Sequence, residues 1–131
     1  MKKRGMIIIS GLLLLFLSGC ATMPTQKELS ALDYGPPLTI NYQTVIKDHF
    51  EEVLFDPYSA HYKFETPQRY WYKEPPLFGN KLYAGYMVFV GVNAKNRMGG
   101  YVGMKRHGFL FKNNQIIKIL SPEDISLMKS K

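Results

Sequence analysis

The sequence predicts an α+β domain, one amphipathic helix packed on a three- to four-stranded antiparallel meander. Three observations predict it. Residues 41–55 carry apolar side chains at helical spacing. Residues 82–94 are rich in Val and aromatics and apolar on both faces, as in a covered central strand. Asn113-Asn114 joins two further strand-like runs, and Asn tolerates the positive φ of a two-residue hairpin turn. The chain has 131 residues, 46% hydrophobic and 14% aromatic, which excludes intrinsic disorder. One core serves about 100–200 residues, so two sizeable domains are excluded as well. A single Cys excludes an internal disulfide framework and a multi-Cys zinc site.

The helix stripe is Tyr42, Val45, Ile46, His49, Phe50, Val53 and Leu54, with Lys47, Asp48, Glu51 and Glu52 on the other face. Thr39 or Asn41 can cap it, and Asp56-Pro57 ends it, because proline disfavours helical geometry in the residue before it. Residues 59–64 read as a short alternating strand. Residues 65–81, with Pro67, Pro75, Pro76 and Gly79, read as irregular, and they hold Tyr70-Trp71-Tyr72. Gly85 and Gly91 in the central strand mark bulges or close backbone approach. Residues 96–100 are a turn, 101–112 a second long strand and 115–120 the return strand. Ser121 then caps a short last helix, with Pro122 at its first position and Glu123 and Asp124 in its first turn. Phe50 on the stripe and Phe89 in the central strand are the expected contact of helix and sheet.

The first twenty residues read differently. Lys2, Lys3 and Arg4 precede a 12-residue apolar run from Met6 to Leu17, interrupted by Ser10 and Gly11, and then Ser18, Gly19 and Cys20. A basic start, a short apolar run and small residues describe an export signal. A membrane-spanning helix needs about 20 residues. Leu17-Ser18-Gly19-Cys20 resembles the lipobox of bacterial lipoproteins. The resemblance implies a diacylglyceryl thioether on Cys20, cleavage between Gly19 and Cys20 by signal peptidase II, and acylation of the freed amine. It also implies an outer-membrane address in a Gram-negative host, because Ala21 stands where Asp would retain the protein at the inner membrane. The expected organisation is a cleaved signal at 1–19, lipidated Cys20 and a tether at 20–39, and a small periplasmic domain at 40–131.

A second resemblance lies in that domain. Asp56-Pro57-x-Ser59-Ala60, Val92-Asn93-Ala94-Lys95-Asn96 and Gly99-Gly100-Tyr101-x-Gly103 are similar to a group of small exported bacterial proteins of unknown function. It spans roughly residues 41–111 and implies a fold and no activity.

The residues offer little catalytic chemistry. His49, His61 and His107 fall in none of the spacings of a zinc site, so neither a metal nor another cofactor is expected. No Ser lies in G-x-S-x-G, and Glu51 and Glu52, adjacent on a helix, point to different sides. Gly99-Gly100-x-x-Gly103 lies between two strands and lacks the Lys-Ser/Thr ending of a phosphate loop. No catalytic residue is therefore assigned.

Charge is uneven. Removing Lys2, Lys3 and Arg4 lowers the formal charge from +7 to +4, which weakens the case for nucleic acid. Residues 81–131 hold nine Lys and Arg against two acids, and residues 21–80 hold five against eight. Trp, Tyr and Arg dominate protein interfaces. The expected partner surface is Arg69, Tyr70, Trp71 and Tyr72 beside the basic Lys95, Arg97, Lys105 and Arg106, facing an acidic envelope protein. The sequence thus points to a lipid-anchored binding or assembly module of the cell envelope, not a catalyst, held to the membrane through Cys20 and binding no nucleic acid. The alternative is a periplasmic small-ligand carrier or enzyme.

Overall fold

A computed structural model describes residues 23–129. The signal at 1–19, with Leu17, Ser18 and Gly19, and the lipidation position Cys20 lie outside the described residues. The described chain is mostly an antiparallel sheet with a few short helices, broadly α+β. In order it runs α1 (Gln26–Ser30), α2 (Tyr42–Val53), β1 (Asp56–Phe64), β2 (Gln68–Lys73), a 3₁₀ turn (Pro76–Phe78), β3 (Leu82–Lys95), β4 (Lys105–Lys112), β5 (Gln115–Leu120) and α3 (Pro122–Lys129). Among the described residues no helix is long and apolar enough to cross a membrane.

β3 is the middle of the sheet. β4 pairs with it along one side, from Tyr86 to Val92. β1 and β2 share the other side end to end, β1 over Val90–Lys95 and β2 over Leu82–Met87. β5 completes the sheet beyond β4. Because side chains alternate along a strand, β3 presents Val88, Val90 and Val92 to one layer and Met87 and Phe89 to the other. Ile46 and Phe50 of α2 cover the first layer together with Phe109 and Phe111 of β4. Ile125 of α3 covers the second with Leu110 and Leu120. Gly85 allows the closest approach: a Cβ there would run into the Phe111 backbone carbonyl.

Local sequence explains most boundaries. The Asn41 side chain accepts from the Thr44 N–H and caps α2, while Thr39 exchanges hydrogen bonds with Asn114. Asn113 and Asn114 take φ of 52° and 63°, the left-handed values of a tight hairpin turn. Ser121 and Asp124 bond each other's N–H groups reciprocally and start α3. The described part of the expected 20–39 tether, residues 23–39, carries α1 and is joined to the sheet by the Asp33–Lys112 ion pair at 3.1 Å and by Thr39.

The sheet has five strands where three or four are expected, and helices cover both of its faces where one is expected. Five local features also differ from the sequence reading. Residues 68–73 are a strand rather than an irregular stretch. Pro67 and Pro75 bound β2 from outside, so neither removes a ladder donor. The second long strand starts at Lys105 instead of Tyr101, since Gly99 and Gly103 at φ 78° and 91° break the pairing, leaving Tyr101 a lone bridge to Lys95. β1 begins at Asp56, so Asp56-Pro57 opens a strand after α2 has ended at Val53. Val53 is 59% exposed and falls off the buried stripe. Phe89 faces away from α2, and Phe50 meets Phe109, His107 and Tyr62 with ring centroids 5.6, 5.0 and 5.8 Å away.

Two measurements check this core. Phe50 is 2% exposed, and loss of a buried Phe costs about 3–5 kcal/mol. Phe50→Ala is expected to lower the thermal midpoint of the full chain in detergent by more than about 10 °C; an unchanged midpoint by circular dichroism would place Phe50 outside the core. The second concerns His107. Burial against Phe50 pushes its imidazole below the ordinary 6.5, with His49 and Lys105 adding to the effect and Glu123 opposing it. The folded chain therefore resists protonation that the unfolded chain accepts. That contribution is complete above the ordinary value and is lost as pH falls through 6.5 toward the folded value. Urea midpoints from pH 8 to 5 are expected to fall on the acid side less steeply in His107→Gln than in the parent chain.

Candidate functional site

β2 lies at a margin of the sheet, paired with β3 and with no other strand among the described residues. A cleft of about 540 Å³ runs along it. Tyr70 and Tyr72 line it from the sheet and Leu127 and Met128 from α3; Met23, the first described residue, and Phe78 also line it.

The aromatic wall is braced from the sheet. Tyr70 meets Phe89 edge to face at 5.7 Å, and the Arg106 guanidinium lies 3.8 Å above the same Phe89 ring. Glu65 fixes that guanidinium with two hydrogen bonds of 2.9 and 2.8 Å. Tyr72 packs on Tyr83, and the Lys118 ammonium sits over both rings at 5.6 and 5.4 Å. Lys118 is paired with Glu74 at 2.8 Å, and Glu74 also accepts from the Tyr83 hydroxyl. The hydrogen bond from Lys118 holds the Glu74 carboxyl below its usual range, and Glu74 in turn raises Lys118. Burial pushes the Tyr70 and Tyr72 phenols up, so both stay neutral at ordinary pH. Asp124 reaches the cleft but is committed to Ser121. The wall is thus mainly apolar, the charged groups that brace it are already paired, and it is suited to receiving a partly apolar guest by contact.

The sequence-derived surface is divided by the fold. Arg69, Tyr70, Trp71 and Tyr72 do line one cleft. Arg106 stands near Tyr70 through Phe89. Lys95, Arg97 and Lys105 do not join them. Lys95 pairs with Asp56 at the other end of β3, roughly 36 Å from Ala84, the partner of Trp71, at about 3.3 Å per residue. There Lys95 stands over the Tyr101 ring and Arg97 over Phe55. Lys105 opens β4 opposite Val92. The expected cluster set an irregular segment beside those cations, and a strand in fixed register cannot reach them. The sequence reading missed Met23, Phe78, Leu127 and Met128. The available signal was the apolar pair Leu127-Met128 after Ile125 on the short last helix, and in the fold Leu127 is 66% exposed.

Among the described residues no three His, Cys, Asp or Glu converge as metal ligands. His61 bonds the Tyr101 hydroxyl at 3.1 Å, while His49 and His107 lie among core rings. No family model, curated protein or solved structure matches this chain.

Proposed function

We propose that this chain is a lipid-anchored protein of the cell envelope that works as a binding or assembly module rather than as a catalyst. The observation that carries the reading is the place of Met23. It lines the β2 cleft, and the lipobox cysteine Cys20 lies three residues before it. Three residues of chain span at most about 11 Å. An anchor at Cys20 therefore holds the cleft close to the membrane and presents its aromatic wall to whatever shares that surface. The two acyl chains of a diacylglyceryl thioether suffice for stable attachment, at about 0.8 kcal/mol per buried CH₂. Ala21 after the cysteine supports the outer membrane of a Gram-negative host, with the domain in the periplasm and the short segment before Pro24 as the tether. The partner in this reading is an acidic envelope protein, and nucleic acid is no part of it.

A small-ligand carrier is the second reading. It is favoured by cleft size, since small-molecule sites occupy about 300–1,000 Å³.

Mass spectrometry of the mature N-terminus is expected to find a lipid-modified Cys20, and Cys20→Ser an unprocessed precursor; an unmodified cysteine, or a start elsewhere, would remove the anchor. For the module, a photo-crosslinker at Leu127 in the host is expected to capture an envelope protein. Trp71→Ala is expected to lose that product while keeping its fold. Adducts with small molecules alone would favour the carrier, and an unfolded Trp71→Ala would mark Trp71 as a structural cap.

A further inference from the structure

We infer that β2 is a docking edge that accepts an extended acidic peptide strand from its partner. The inference rests on the binding-module reading and names the mode of recognition. It follows from the backbone. The Glu74 N–H donates to the Lys81 carbonyl at 2.9 Å, which marks 74 and 81 as a hydrogen-bonded pair. Such pairs alternate along an antiparallel ladder. Tyr72 with Tyr83 and Tyr70 with Gly85 are then hydrogen-bonded pairs, and Arg69, Trp71 and Lys73 turn their N–H and C=O groups away from β3. No hydrogen bond from a described residue meets those outward groups. Unpaired strand edges of this kind template a further strand, with main-chain bonds supplying affinity and side-chain pockets specificity.

Charge selects the occupant. Arg69 and Lys73 flank Trp71 on the outward-bonding positions, and neither forms an ion pair among the described residues. Arg69 donates to the Tyr86 hydroxyl and stands 5.8 Å from the Tyr34 ring centroid, and Lys73 acts on Glu28 only at a distance. A second copy of this chain fits poorly. The antiparallel register that uses all three outward residues sets Trp71 on Trp71 and Arg69 on Lys73 twice, and like charges directly opposite are destabilising. A foreign strand with acidic residues opposite Arg69 and Lys73 meets both cations. Its intervening residues lie opposite Tyr70 and Tyr72, on the side of Leu127 and Met128. The recognised pattern is acidic, apolar, any, apolar, acidic. Pro67 and Pro75 limit the site to the six residues of β2.

The test uses the full chain in zwitterionic detergent and two fluorescein-labelled peptides, EVTVE and KVTVK, each between Ser-Gly spacers. The first is expected to bind saturably and about tenfold or more tighter than the second, since two cross-strand charge pairs change sign. Arg69→Glu/Lys73→Glu is expected to reverse the preference. Trp71→Pro removes an outward N–H and no bond to β3, and is expected to abolish binding with circular dichroism unchanged. Equal binding of both peptides, no binding of either, an unreversed preference or a folded Trp71→Pro that still binds would each overturn the inference. If Trp71→Pro does not fold, the charge reversal decides alone. Failure of the peptides with the Leu127 crosslink retained would remove the strand mode and leave the module reading; loss of both would remove both.

Discussion

Everything in this fold depends on β3 having two apolar faces. Val88, Val90 and Val92 cannot be buried by the layer that buries Met87 and Phe89, because successive side chains leave a strand on opposite sides. A single helix would leave one face wet. The chain solves this by placing α2 before the sheet and α3 after it, one on each side. Gly85 then lets the Phe111 carbonyl approach the middle of the sheet, where a side chain would hold the strands apart. Helix capping at Asn41 and Ser121 fixes where each cover begins.

Those covers also decide which edge remains open. β1 and β2 are collinear along one side of β3, and α2 is followed directly by β1. α3 packs on β4 and β5, and its Leu127 and Met128 line the same cleft as Tyr70 and Tyr72 of β2. The cleft is therefore what remains when a short helix covers a sheet wider than itself. Its wall is stiffened from behind by Arg106–Glu65 and Lys118–Glu74, each cation lying over an aromatic ring while paired with a carboxylate. An arrangement so firmly held costs little ordering on binding, which suits a recognition surface.

What could be read from the sequence was what is encoded locally. α2 announces itself through a seven-residue stripe and a capping Asn. The Asn113-Asn114 turn follows from backbone preference, and β5 and α3 follow from that turn and from Ser121-Pro122. β2 was hidden because its two flanking prolines resemble breakers, and because Tyr70, Trp71 and Tyr72 give no contrast between faces. Only the partner strand Leu82–Met87 makes it a strand. Register was equally hidden. Which face Phe89 takes, and how far Lys95 lies from Trp71, are set by pairing across β3, and no local pattern states it. The aromatic half of the candidate site was therefore legible as residues, and its cleft and its separation from the distal cations were not.

Among the described residues β2 is bonded on one side only, so its backbone alternates between satisfied and outward-facing groups. Amide hydrogen exchange of the free chain, resolved residue by residue by NMR, measures this directly. Slow exchange is expected at Tyr70 and Tyr72 and fast exchange at Arg69, Trp71 and Lys73. Protection of the Trp71 amide equal to that of its two neighbours would contradict it, because that edge would then be closed in the resting protein.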